Sequence, residues 1–147
     1  MKKQITNLIA AISLVFLCTV VSANAQSDGK LVAHVPFDFY VQGQKLSSGD
    51  YTIRSLNPRA GQTSLLISRT DGKTQKMVIM MPTTSCATDG AASIVFNRYG
   101  NDYFLSELIN PAESFDAKLR MSKQESSLAR SVGNPEKEVV AMSRARR

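Results

Sequence analysis

Apolar and polar residues alternate over short segments along most of this chain. In one clear example Phe37, Phe39 and Val41 alternate with more polar neighbours, the period-two pattern of a strand with one buried face. Similar segments recur at 31–35, 51–56, 64–69, 75–81, 93–99 and 103–109. Because Pro36 cannot donate to a ladder, 31–35 and 37–41 are predicted as a strand pair or one bent strand. Short strands at this spacing predict an all-β fold, mainly antiparallel, either a small sandwich or a barrel-like domain.

Turn residues divide these segments into hairpins. Asp71-Gly72 lies between two apolar runs, and glycine accepts the positive φ that a tight turn requires. Gly100-Asn101-Asp102 joins the next pair of strands in the same way. The polar segment 43–50 is predicted to be a connection without a strand of its own.

One predicted strand is apolar on both faces. Residues 77–81 read Met-Val-Ile-Met-Met, with no polar side chain on either side. A strand of this kind is typical of a position that is central or covered on its second side. The segment therefore favours two layers over a single exposed sheet.

The pattern changes in the C-terminal part of the chain. Ser122 and Glu125 have the spacing of a capping box, in which the two residues satisfy free N–H groups at a helix start. The sequence predicts one short helix of about two turns that ends before Gly133 and Pro135. β-branched residues then favour a last strand over 138–142.

The N-terminus has the three parts of a secretory signal peptide. A short positive start precedes an apolar run over 8–21, and Ala23-Asn24-Ala25 forms a small-x-small cleavage site. The run is about 14 residues, whereas a membrane span needs about 20, so a retained anchor is the weaker interpretation. We expect 1–25 to be removed and the protein to be exported, to the periplasm or outside the cell, with no remaining transmembrane span.

Removal of 1–25 would also remove Cys18 and leave Cys86 as the single cysteine, which excludes an intramolecular disulfide. Cys86 lies among small polar residues, and we interpret it as an incidental loop cysteine, with an intermolecular disulfide as the alternative. All stability must then come from the hydrophobic core, for which the chain is long enough.

The net charge of +6 is distributed unevenly. Residues 26–116 contain eight basic and nine acidic side chains, whereas residues 117–147 contain eight basic and three acidic ones. The chain therefore divides into the signal peptide, a β-rich domain over 26–116 and a basic C-terminal segment over 117–147. The sequence predicts that this last segment is solvated and partly helical, and packing of its helix and last strand on the domain is the alternative.

Basic side chains at the end of the C-terminal segment are candidate contacts to an anionic polymer or lipid headgroup. They are Arg144, Arg146 and Arg147. Nucleic acid is not an expected partner, because the chain is predicted to be exported and no aromatic residue beyond Phe115 could stack on a base.

Residues that commonly perform catalysis are scarce. His34 is the single histidine, it lies in an alternating strand pattern, and no Gly-x-Ser-x-Gly nucleophile motif occurs. We interpret His34 as a structural histidine on the sheet or surface. One histidine and one cysteine cannot supply the usual ligands of zinc, and no Asp-x-Asp-x-Asp spacing indicates calcium. The expectation is a protein with no catalytic, metal or cofactor site.

Four motifs occur together in this chain: Val35-Pro36-Phe37-Asp38-Phe39, Leu46 with Gly49 and Tyr51, the Asp71-Gly72 hairpin, and Phe96-Asn97-Arg98-Tyr99-Gly100-Asn101-Asp102-Tyr103-Phe104-Leu105. In this combination the chain resembles a group of small exported bacterial β-rich proteins of unknown function. The resemblance covers most of 31–131. It implies a single exported β-rich domain, and it carries over no functional residues.

Three functions are consistent with these observations. The first is a non-catalytic binding or structural module of the cell envelope or exterior. The second is a carrier of a small apolar ligand inside a β-barrel-like interior lined by aromatic residues. The third, a small hydrolase that uses carboxylates, has the least support, because most of the acidic residues lie in turns, where aspartate is common.

Overall fold

The computed structural model describes residues 30–56, 63–83, 90–111 and 115–145. Over these ranges the chain forms ten strands and one helix. The strands are β1 (Leu31–Val35), β2 (Phe39–Val41), β3 (Gln44–Leu46), β4 (Gly49–Ser55), β5 (Thr63–Arg69), β6 (Gln75–Pro82), β7 (Ser93–Tyr99), β8 (Asp102–Asn110), β9 (Phe115–Lys118) and β10 (Glu136–Arg144). The helix, α1, is Lys123–Val132 and lies between β9 and β10.

Eight of the strands close a barrel in the order β8-β7-β10-β1-β4-β5-β6-β9, and β9 returns to β8. The β2–β3 hairpin extends the sheet beside the first part of β8, where β2 pairs in parallel with Tyr103 and Phe104. The remaining pairs are antiparallel. The predicted all-β, mainly antiparallel fold with one short C-terminal helix is confirmed, and of its two predicted forms the structure has the barrel.

The core lies inside the barrel and is built from alternate positions of each strand. In β4, Tyr51 and Ile53 point inwards and are almost fully buried, whereas Arg54 is exposed. Phe39 packs edge-on against both Tyr51 and Phe96, with ring centroids 5.2 Å apart in each pair. Edge-to-face aromatic pairs add to the free energy gained by burying apolar area.

The two predicted hairpins are present, but the N-terminal segments differ from expectation. Gly72 and Gly100 have φ angles of 73° and 62° in the β5–β6 and β7–β8 turns, as tight turns require. β1 pairs with β4 and β10, whereas β2 pairs with β3 and β8, so the prediction of a strand pair or a bent strand is wrong. The prediction of 43–50 as a plain connection is also wrong, because it contains β3 and the start of β4.

The helix begins and ends where its capping residues predict. The Glu125 N–H donates to Ser122 Oγ at 3.1 Å. At the other end the Gly133 N–H donates to the Ala129 carbonyl at 3.0 Å, and Gly133 has a φ of 96°. These contacts satisfy backbone groups that a helix end leaves without intrahelical partners.

The C-terminal segment is part of the barrel. β10 lies between β1 and β7, with Ala33 opposite Met142 and Val95 opposite Val139. Ala117 of β9 is fully buried in the core. A solvated arrangement of 117–144 is therefore wrong. Its charges are compatible with a barrel strand because Glu136, Lys137 and Arg144 are exposed near the two ends of β10, whereas Val140 and Met142 between them face the core.

Candidate functional site

The outer face of β6 carries a row of exposed apolar side chains. Met77, Ile79 and Met81 are 59%, 51% and 51% exposed, and we call these three residues the β6 stripe. Val78 and Met80 alternate with them and are buried in the core. The sequence predicts this strand to be central or covered on its second side. β6 lies between β5 and β9 in the sheet, but its second face is exposed within the described part of the chain. Contiguous apolar surface of this kind is typical of interaction sites.

The stripe continues onto the neighbouring strands. Leu66 of β5 lies opposite Met77, and Ser64 lies opposite Ile79. Leu56, just after β4, is exposed, and its N–H donates to the Ser64 carbonyl at 2.8 Å. The apolar surface therefore extends across β4, β5 and β6 near one end of the barrel.

Positive side chains border this apolar surface. Arg54 lies opposite Leu66, one strand further from Met77, and lines an open groove of about 290 Å³ together with Lys30. Arg144 lies opposite Leu31, whose side chain is in the core, so Arg144 is on the other face of the sheet from Lys30. Lys30 and Arg54, which we call the basic row, have no salt-bridge partner among the described residues.

The β6 stripe and the basic row together form what we call the docking face. Of the C-terminal arginines predicted as anionic-surface contacts, Arg144 is exposed at the end of β10 but is on the other face of the sheet from Lys30 and Arg54. Arg146 and Arg147 lie outside the described residues. The sequence did not single out Lys30 or Arg54, because they are far apart along the chain and only the β1–β4 pairing brings them together.

The barrel interior is filled. The cavity at its centre is lined by core side chains such as Phe39, Tyr51 and Phe96, and its volume is about 10 Å³. That is roughly the space one water requires, whereas small-molecule sites have volumes of about 300–1,000 Å³. Phe39, Tyr51 and Phe96 therefore fill the interior instead of lining a ligand site there.

The outer face of β7 and β8 is buried, and α1 packs on β7. Phe104 is buried on this side, stacked on Tyr40 at 4.9 Å and edge-on to Tyr99 at 5.9 Å. Asn97 Nδ2 donates to Glu125 Oε1 of the helix at 2.7 Å, and both side chains are buried. Glu125 therefore joins the helix to the sheet.

Two polar atoms in this covered region have no hydrogen-bond partner among the described residues. They are Asn97 Oδ1 and the Tyr99 hydroxyl. Burial raises the pKa of the Tyr99 phenol, and the Glu125 carboxylate raises it further, because both disfavour a second negative charge there. The phenol is thus held in its neutral form.

His34 forms an exposed cross-strand pair. Its Nδ1 lies 2.7 Å from Asp50 Oδ1, and the two side chains are 72% and 60% exposed. A histidine paired with a carboxylate is part of a catalytic triad, but a triad also needs a nucleophile hydrogen-bonded to the imidazole. Among the described hydrogen bonds His34 has Asp50 as its one partner.

The remaining sequence predictions concern residues that the structure does not describe. The signal peptide over 1–25 and Cys86 lie outside the described ranges.

Within the described ranges, no group of three or more His, Cys, Asp or Glu side chains is arranged to hold a metal ion. No helix found there has the length and apolar character needed to cross a bilayer.

Comparisons of the chain with protein-family models, with curated proteins and with solved structures each found no match.

Proposed function

We propose that this protein is an exported, non-catalytic binding module of the cell envelope that docks on an anionic lipid surface through the docking face. The observation that carries the proposal is the β6 stripe, exposed on a strand whose other face is core. Export is supported by the signal-peptide pattern of 1–25 and by the resemblance to small exported bacterial proteins.

The two parts of the docking face suit the two layers of a lipid surface. Met77, Ile79 and Met81 each gain free energy when their exposed area leaves water, at roughly 25 cal/mol per Å². Lys30 and Arg54 are positioned at the border of the same surface, where a headgroup phosphate would lie. A basic side chain near an anionic lipid surface contributes about 1 kcal/mol.

An anionic lipid surface accounts for both the β6 stripe and the basic row, whereas a soluble anionic polymer accounts for the basic row alone. A polyanion would contact the basic row and leave the β6 stripe in water. An apolar protein partner would cover the stripe and leave the cations of the basic row without counter-charge. The proposal therefore commits to a lipid surface that presents phosphate groups.

Vesicle binding tests this proposal. The exported protein is mixed with phosphatidylcholine vesicles that contain or lack phosphatidylglycerol, and the bound fraction is measured by sedimentation. We expect binding to the anionic vesicles, and at least a tenfold loss in Lys30→Glu/Arg54→Glu, because two cations worth about 1 kcal/mol each are replaced by anions. The matched charge control is Lys123→Glu/Arg130→Glu on α1, which packs on β7.

A second pair of variants tests the stripe. Ile79→Thr removes apolar surface from the docking face, and Val139→Thr removes it from an equally exposed strand position on β10. We expect weaker vesicle binding for Ile79→Thr alone. Equal binding of both variants, or no difference between anionic and neutral vesicles, would contradict lipid docking.

Export is tested separately. Cell fractionation and the N-terminal sequence of the released protein distinguish cleavage after Ala25 from retention of the leader. A mature protein that begins at Gln26 supports export, and a cytoplasmic protein that begins at Met1 refutes it.

A further inference from the structure

β6 has one edge without a partner strand over most of its length. β5 pairs with one edge of Gln75–Met80. On the other edge, β9 pairs with β6 at Met81 and Pro82 and extends no further. In the described part of the chain, no strand pairs with that second edge of residues 75–80.

The hairpin geometry identifies which backbone groups face the open edge. The Arg69 N–H donates to the Thr74 carbonyl at 2.8 Å. In an antiparallel ladder alternate residues direct their N–H and C=O to the same neighbour, so Thr74 and every second residue after it bond to β5. Gln75, Met77 and Ile79 then point their backbone groups away from β5.

The pairing with β9 supports this assignment independently. Met81 pairs with Lys118, and the Thr83 N–H donates to the Asp116 carbonyl at 2.9 Å. Both residues continue the series that begins with Gln75, and both face β9. The backbone groups of Gln75, Met77 and Ile79 face the same way and have no hydrogen-bond partner among the described residues.

We propose that a second copy of this chain pairs with this edge in antiparallel orientation, with Met77 opposite Met77 of the partner subunit. In this register Gln75 lies opposite Ile79 of the partner subunit. All the open backbone groups of both copies are then satisfied, and the pairing stops where β9 already occupies the edge. Adding a strand at an open edge is a recurring mode of association.

The side chains of this segment suit self-pairing. Lys76 is the one charged residue within 75–80, and in this register it lies opposite Val78 of the partner subunit, so no like charges face each other. The segment contains no proline and is otherwise mostly apolar, unlike edges that are protected against pairing. The register is two-fold symmetric, as a closed dimer requires.

The two-fold axis of this dimer is perpendicular to the plane of the shared sheet. The β6 stripes of both copies therefore lie on the same face of that sheet. The dimer would therefore offer one continuous apolar surface to a flat partner. The pairing itself depends on the strand edge and not on lipid, so it stands or fails independently of the proposed function.

Cysteine cross-linking tests the register. In a background with Cys18 and Cys86 replaced by Ser, Met77→Cys places the two thiols on directly opposed residues, within the Cα separation that a disulfide spans. We expect a covalent dimer under mild oxidation. Met81→Cys is the matched control, because Met81 is about as exposed but pairs with β9. Equal cross-linking of both variants would overturn the register.

Charge insertion tests the dimer without cysteine. Met77→Lys opposes two like charges across the axis, and we expect dimer dissociation to be at least about tenfold easier in sedimentation velocity. Met81→Lys alters the docking face equally and leaves the free edge unchanged, so its dimer is expected to persist. A wild-type protein that stays monomeric across the concentration range, or that adds a foreign peptide strand instead, would refute the inference. Vesicle binding by such a monomer would leave the proposed function standing.

Discussion

Two outer faces of this barrel are built from strands with apolar residues on both sides, and the chain covers one of them. On β7 and β8, outward-facing Val95 and Phe104 are buried, and α1 lies over this side of the sheet. On β6, outward-facing Met77 and Ile79 are exposed. A strand with an apolar second face is therefore not always covered by the same chain. A helix or loop of the chain must also be connected so that it can reach that face.

Chain connectivity explains which face receives the helix. β9 pairs with β8, and the Leu119 N–H just after it donates to the Ser106 carbonyl of β8 at 2.7 Å. The few residues from there to Ser122 place the start of α1 beside β8 and β7. Among the described residues, no helix follows β5 or β6, so the face of β6 has no cover of its own.

The covered face is also held by a polar contact. Glu125 is the one fully buried residue of α1, and it accepts its hydrogen bond from Asn97. A buried carboxylate loses hydration free energy, so this contact holds the helix less strongly than an apolar contact of similar area would. The exposed face of β6, in contrast, has no contact of this kind with a helix among the described residues.

Truncating an apolar residue on each face should give the largest difference between them. We expect Phe104→Ala to lower the free energy of unfolding by about 3–5 kcal/mol, because it removes a buried ring and leaves a cavity. Ile79→Ala on the exposed face of β6 should cost about 1 kcal/mol or less, since its side chain is half exposed. Urea unfolding measures both. Equal losses would mean that the β6 face is covered in solution.

Removal of the Glu125 carboxylate should have an intermediate effect. Glu125→Ala leaves the buried Asn97 amide without its acceptor, which costs about 1–3 kcal/mol. We expect faster tryptic cleavage at Lys123 and Arg130 in this variant, because α1 detaches more often. Glu125→Gln retains an acceptor and should cost less, and Gln124→Ala controls for the neighbouring exposed position. An unchanged cleavage rate in Glu125→Ala would show that the carboxylate does not hold the helix.

Replacing the Tyr99 hydroxyl should have the smallest effect at neutral pH. Since this hydroxyl has no partner among the described residues, Tyr99→Phe should change the free energy of unfolding by less than about 0.5 kcal/mol at pH 7. Tyr51→Phe on the inner face should cost about 1 kcal/mol, because the Tyr51 hydroxyl donates to the Ser47 carbonyl at 2.5 Å.

The same Tyr99 variant should differ from the wild type at alkaline pH. The pKa of Tyr99 in the folded protein is raised above its ordinary value of 10.0, so the folded state binds the phenolic proton more tightly than the unfolded state does. Stability should therefore fall as the pH rises past about 10. Tyr99→Phe should lose less stability over that range in thermal unfolding. Parallel losses in both proteins would contradict burial of the phenol.

The period-two pattern and the turn residues predicted most of the strands, and the capping residues predicted the helix. The pattern failed at β3, where Gln44 and Lys45 are exposed and Leu46 is the single buried residue. A three-residue strand gives too short an alternation to be recognised. It also failed at β9, Phe115–Lys118, which is only four residues long. At β10 the predicted strand over 138–142 is present, and what was wrong is the solvated setting suggested by the clustered charge, because Met142 and Val140 face the barrel.

The docking face could be predicted in part. The sequence showed that 77–81 is apolar on both faces, which is the pattern that produces the β6 stripe. It did not predict that the second face is exposed. Local charge singled out Arg144, which is on the other face of the sheet. Lys30 and Arg54 come together through the pairing of β1 with β4, and residue types alone do not contain that information.

The sequence by itself determined the local properties of this protein: which segments form strands, where the turns and the helix lie, and how few groups could perform catalysis. These properties depend on side-chain periodicity and capping over a few neighbouring residues. The tertiary structure alone decided that the strands close a barrel, that α1 packs on β7, and that β6 keeps an exposed face and an open edge. Those outcomes depend on which strands pair across long separations, and on where each connection can physically reach.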